Sequence, residues 1–145
     1  MKIELPARVN HAGYLFVLVT GGRAYSDEYT LCDALDRIEE LCDLAQLHMT
    51  VVQGGATGAD RIARQWAWDN NKRCITERAK WGRPPPNHDR LAGFKRNQRM
   101  IDKHHPDICV AAPGGNGTAD MVSRCETASI PVIEITIELP PSPAR

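Results

Sequence analysis

Leu15-Phe16-Val17-Leu18-Val19-Thr20-Gly21-Gly22 is the stretch whose reading decides the fold. A run of apolar residues with no polar interruption, closed by two glycines, is the pattern of a strand buried on both faces; a half-wet strand would alternate. Such strands belong to parallel sheets covered by helices on either side. Downstream, residues 27–46 set Leu31, Leu35, Ile38, Cys42 and Ala45 at spacings of three and four, which predicts an amphipathic helix. Its other face carries Asp33, Asp36, Glu39, Glu40 and Asp43, read as a solvated acidic surface.

The same order of events then repeats. Met49-Thr50-Val51-Val52 predicts a second strand, followed by Gly54-Gly55 and a helix over about 58–70. Cys74-Ile75-Thr76 reads as a weak third strand, before a long loop containing Trp81 and Pro84-Pro85-Pro86. A helix over 91–103 offers Phe94, Met100 and Ile101 to the core. Ile108-Cys109-Val110-Ala111-Ala112 is another buried strand, leading into Gly114-Gly115 and a helix to about 128, and residues 132–137 alternate as a half-exposed last strand does. Alternating strand and helix means an α/β class with a mainly parallel sheet of about five strands. The expected division is an N-terminal extension over 1–13, one domain over 14–138 and a proline-rich, disordered tail over 139–145. Right-handed crossovers place every strand-to-helix loop at the carboxyl edge of the sheet, where ligands bind in such folds.

Composition agrees with one globular domain: 145 residues, 42% hydrophobic and 25% charged. Lys+Arg and Asp+Glu number 18 each, and that balance argues against a sequence-independent binder of duplex DNA. The longest apolar run is far short of the roughly 20 residues of a membrane span, and no signal-peptide pattern opens the chain. A soluble, cytoplasmic protein is expected. Cys32, Cys42, Cys74, Cys109 and Cys125 form no C-x-x-C pair and read as small buried hydrophobes in a reducing compartment. The five histidines lack zinc-ligand spacing, so no metal is expected.

Three loops share one layout: Gly21-Gly22-Arg23-Ala24-Tyr25-Ser26-Asp27, Gly54-Gly55-Ala56-Thr57-Gly58-Ala59-Asp60 and Gly114-Gly115-Asn116-Gly117-Thr118-Ala119-Asp120. Each follows an apolar strand, opens on two glycines and ends on an aspartate. Glycine lets a ligand approach the backbone closely, and the helix start behind each loop favours an anion. Together they predict a site for a phosphate-rich, nucleotide-like ligand. Asp60 and Asp120 read foremost as first-turn or capping carboxylates, with contact to a ribose hydroxyl as the alternative. No Walker A lysine follows any of the loops, and no GxGxxG fingerprint occurs.

Pro113-Gly114-Gly115-Asn116-Gly117-Thr118 resembles the PGGxGT signature of the SLOG superfamily, a Rossmann-like group that includes the LOG phosphoribohydrolases and the DNA-processing protein DprA. Val19-Thr20-Gly21-Gly22-Arg23, the second glycine loop and Arg96-Asn97 extend the likeness to the YspA-like branch, over nearly the whole domain. The resemblance implies a Rossmann-like three-layer sandwich whose loops hold a nucleotide-derived ligand related to NAD, ADP-ribose or a cyclic nucleotide signal. LOG enzymes continue PGGxGTxxE, with the glutamate serving N-glycosidic cleavage. Met121 stands at that position here, so binding without hydrolysis is expected, with no catalytic residue and no further cofactor.

Between positions 80 and 103, Lys80, Arg83, Arg90, Lys95, Arg96, Arg99 and Lys103 face only Asp89 and Asp102. Such a run is either a solvated face or a basic flap over the anion site, with Arg96 and Asn97 toward the ligand. Trp81 either stacks on a base or packs the loop down. Arg23 is the candidate for phosphate and Tyr25 for ribose. One of Trp66 and Trp68 is expected in the core or in a subunit interface, and pairing of copies is anticipated. The leading expectation is a sensor or sequestering sponge; the alternatives are a LOG-like nucleotide hydrolase and a DprA-like single-strand binder, which would need a wide basic groove with stacking aromatics.

Overall fold

Tyr14–Thr20 forms strand β1 at the middle of a sheet, its residues Leu15 to Val19 all buried. The computed structural model describes residues 2–82 and 88–136. Around β1 the chain adds α1 (Glu28–Leu44), β2 (His48–Gln53), α2 (Ala59–Asp69), β3 (Arg73–Thr76), α3 (Ala92–His104), β4 (Ile108–Ala111), α4 (Asn116–Thr127) and β5 (Val132–Glu134). All pairings are parallel, in the order β3-β2-β1-β4-β5. The predicted α/β sheet of five strands is thus present, each element within a few residues of its expected bounds. Residues 83–87, including Arg83 and Pro84-Pro85-Pro86, and 137–145, including the end of the last predicted strand and the tail, lie outside the described residues.

The period-two geometry of β1 divides the interior into two cores. Leu15, Val17 and Val19 face α1 and α2, packing with Leu31, Leu35, Ile38, Ala63 and Trp66. Phe16 and Leu18 face α3 and α4, packing with Met100, Ile101, Met121 and Cys125. Helices on both faces make three layers, which is why β1 and β4 carry no polar alternation. Asp27 caps α1, accepting from the Thr30 amide at 3.1 Å. Ile3, Leu5 and Val9 of the N-terminal segment pack on the first core, and Asn10 N donates to the buried Asp107 at 2.7 Å. No helix among the described residues is long and apolar enough to cross a membrane.

The strand order reverses at β1. The chain winds outward through β2 and β3, then crosses back to lay β4 on the other side, so loops diverge at the carboxyl ends of β1 and β4. Thr20 pairs with Ala111, so the first and third glycine loops leave the sheet side by side.

Candidate functional site

Several of the loop glycines serve the packing of loop on loop. Gly22 N donates to Pro113 O at 2.9 Å, and Gly22 O accepts from Tyr25 N at 3.2 Å and Ala59 N at 3.3 Å. A Cβ on Gly114 would lie 2.6 Å from Gly22 N, so the first and third loops close only because both positions lack side chains. Gly58, at φ +73, sits so tightly against Gly22 and Arg23 that no side chain would fit. Thr57 Oγ1 donates to Arg23 O at 3.0 Å and ties the second loop to the first. At Gly115 and Gly117 the situation is opposite: a Cβ would meet nothing within 4 Å. Those two face open space.

The second loop is held from inside. Gln53, fully buried at the end of β2, accepts from Gly55 N at 2.6 Å. Asp60, 6% exposed, accepts from Gly54 N and Ala56 N, each at 3.2 Å. Burial pushes the Asp60 carboxyl above the usual carboxylate range, against the pull of those amides and of Arg96. Asp60 therefore organises the loop rather than capping α2 in the usual way. Asp120 caps nothing either: it accepts from Asn97 Nδ2 at 3.0 Å and from Arg124 Nε at 2.7 Å, joining α3 to α4. Of the two aspartates read as first-turn or capping carboxylates, Asp60 does stand in the first turn of α2, and Asp120 lies beyond the first turn of α4.

A cavity of about 350 Å³ opens at the strand-order reversal. Its floor is Thr20, Gly21 and Gly22 with Gly115, Gly117 and Thr118 at the start of α4. Arg23, Asp60, Trp81, Arg96 and Asn97 complete the predicted part of the wall. Gly54, Gly55 and Thr57 line an adjoining cavity of about 390 Å³, and Pro113 and Gly114 a third of about 440 Å³ behind the third loop. Gly58 and Asn116 line none of these, and neither does Tyr25. Expected at a ribose, Tyr25 packs in the core instead, its hydroxyl without a partner among the described residues and its pKa pushed up to about 12 by burial, then by Asp27 and Cys32. Phe94, offered to the core by its helical spacing, is the converse case and lines the first cavity. Arg90, from the predicted basic run, lines the first cavity, and Arg78, which no motif singled out, lines the adjoining one.

Arg96 is the best-held cation. Its Nη1 donates to Gly54 O at 2.8 Å and its Nε to Asn97 Oδ1 at 3.1 Å, while Nη2 has no partner among the described residues. Burial lowers its pKa and Asp60 opposes that shift, so the guanidinium is kept charged beside a carboxylate already engaged by amides. Asn97 donates to Gly117 O at 3.1 Å as well as to Asp120, which positions the α4 start. The basic run divides: Arg90 and Arg96 face the cavity, whereas Lys95 pairs with Asp89, and Arg99 and Lys103 pair with Glu77. Trp81 stacks on His88 with ring centroids 5.7 Å apart, and Arg23 lies 5.5 Å from its centroid. Met121, 1% exposed, sits in the second core, so the position of the LOG glutamate does not reach the cavity. Three arginines and a helix start thus converge on a space where the one carboxylate among the described lining residues, Asp60, is already bonded, an arrangement suited to an anion.

A parallel sheet reversing at β1, with glycine loops packed at the reversal and a PGGxGT loop opening α4, defines a Rossmann-like domain of the SLOG class. A family described as YspA, cpYpsA-related SLOG (YAcAr) matches residues 16–83, which include the first two glycine loops. The Gene 61 protein of Mycobacterium phage D29 is 37% identical over 124 residues, 81% of this chain and 93% of the relative. The X-ray structure of TM1055 superposes with a TM-score of 0.56 at 19% identity, covering 81% of this chain and 72% of that one, a likeness of fold. The chain belongs to the YspA, cpYpsA-related SLOG family.

Proposed function

We propose that this protein binds a nucleotide-derived ligand, related to NAD or ADP-ribose or a cyclic nucleotide signal, as a sensor or a sequestering sponge. The observation that carries the reading is the cavity at the strand reversal, where Arg23, Arg90 and Arg96 meet the start of α4 at two glycines with open space before them. A LOG-like hydrolase finds no support at Met121, which is in the core. A single-strand binder would use a long stacking groove, whereas Trp81 is occupied by His88 and Arg23. A cytoplasmic setting suits five cysteines that all stand as free thiols. Trp68, 76% exposed on α2, supports a reading in which copies pair through that helix, while Trp66 is the core tryptophan.

The test is mass spectrometry of small molecules released from purified protein by heat, followed by calorimetry with whatever is found. Arg96→Ala should weaken binding about 10- to 150-fold through loss of charge-assisted hydrogen bonds. Equal affinity in parent and variant, with both folded, would remove Arg96 from the site.

A further inference from the structure

Phe94 is half-buried and belongs to neither core. It stacks on no ring among the described residues, yet it lines the first cavity. A phenylalanine on an amphipathic helix ordinarily buries its ring against the core. This one is left to open space in a site otherwise lined by arginines and loop backbone. Its place on α3 fixes what stands nearby. Phe94 precedes Asn97 by three residues, so the two share one helix face, with β-carbons about 5–6 Å apart. Asn97 in turn donates to Gly117 O at 3.1 Å. An anion at the α4 start therefore has the Phe94 ring one helical turn away. Gly93 shapes the same turn: a Cβ on it would lie 3.3 Å from the Trp81 ring, so the indole rests close over the α3 backbone and walls the cavity beside Phe94. Trp81 is not itself the free face, since its ring already meets His88 and Arg23.

We infer that Phe94 is the stacking face for the nucleobase, and that this residue makes the site select a nucleotide over a sugar phosphate. The inference rests on the nucleotide reading of the first cavity. The arginines and the α4 start recognise the phosphate, which a sugar phosphate carries equally well. Discrimination has to come from a group that answers to the ring. A half-exposed phenyl does so, because every base has a π-face and stacking removes apolar surface of both partners from water. The base lies one ribose beyond the phosphate, on the Phe94 turn of α3.

Calorimetry with AMP and ribose 5-phosphate on the full chain tests this, since the two share phosphate and sugar and differ in the ring. The parent should prefer AMP by at least about fivefold, the low end of what stacking of a base on an aromatic side chain supplies. Phe94→Ala should bring the ratio to within about twofold of unity by weakening AMP alone, with ribose 5-phosphate bound as before. Phe94→Tyr keeps the flat ring and should keep the preference. Thermal melting shows that each variant is folded, and Phe94→Leu, which retains apolar bulk without the ring, decides if Phe94→Ala does not fold. A preference that survives the loss of the ring overturns the assignment and leaves the nucleotide reading standing. So does an equal fall in both affinities, which would make Phe94 structural. A parent that binds the two compounds alike also overturns it, because the site then reads no ring. A parent that binds neither overturns the nucleotide reading as well.

Discussion

Gly114 and Gly117 stand three residues apart in one motif and do opposite things. A methyl on Gly114 would press on Gly22 N at 2.6 Å and on Thr118, so Gly114→Ala should cost on the order of 2 kcal/mol or more. Gly117 lies in the first turn of α4 with open space at its Cβ, so Gly117→Ala should stabilise the protein by about 0.5–1 kcal/mol. Urea unfolding of the two variants checks both signs, and equal stabilities would mean that the loops do not pack as described. The glycine pairs were legible as loops between strand and helix, yet their spacing could not separate glycines needed by a neighbouring loop from those with open space before them. Tyr25 and Phe94 exchanged roles for a similar reason: a loop tyrosine and a helix phenylalanine carry no sign of which way they point. Met121 stands at the motif position of the LOG glutamate, yet its side chain packs inward. Its place in the second core means that Met121→Glu buries a carboxylate rather than arming a hydrolase. The variant should lose several kcal/mol in urea unfolding and show no turnover of AMP or ADP-ribose; a stable, hydrolytic variant would contradict the packing.

Elements were easiest to read where burial is complete. β1, β2 and β4 announce themselves as apolar runs, and the α1 stripe of Leu31, Leu35, Ile38 and Cys42 is the stripe that is buried. β3 and β5 are edge strands, only partly buried, and their weaker patterns follow from that. What the pattern could not show is how α3 is tied down. Glu77, just past β3, accepts from Arg99 Nε at 3.1 Å and His104 Nε2 at 3.0 Å, with Lys103 at 3.4 Å, so one carboxylate fastens the last turns of α3 to the sheet edge. Partial burial alone would raise its pKa; the His104 and Arg99 bonds and the Lys103 charge outweigh this and bring it to about 2, below the ordinary 4.5. A depressed carboxyl pKa contributes stability that is fully present above about 4.5 and is lost as pH falls toward 2. Glu77→Gln should therefore be less stable than the parent at pH 6, on the order of 2–3 kcal/mol, with the gap closing between pH 4.5 and 2. A gap independent of pH in urea titrations would mean that the clip acts through packing alone.

At the scale of the whole molecule, the sheet order turns three separate loops into one site. The two cores on either side of β1 hold the helices, and the loops that need glycine for mutual packing leave the sheet where the order reverses. The cleft is thus built from segments contributed by β1, β2 and β4, far apart in the chain and brought together only in the folded state. A ligand that spans them binds the folded protein and not the unfolded chain, which lacks the site. Linkage then requires stabilisation by RT ln(1 + [L]/Kd), about 2.7 kcal/mol at a hundredfold excess over Kd. For a chain of 145 residues each kcal/mol moves the melting midpoint by roughly 2–4 °C. A nucleotide diphosphate at that excess should raise Tm by about 5–11 °C. The same concentration applied to Arg96→Ala should move its Tm far less, because the variant is no longer near saturation. Inorganic phosphate at equal concentration should move the parent less than the nucleotide, since so small an ion cannot span the cleft. An equal rise with phosphate and nucleotide would reduce the cleft to a simple anion site.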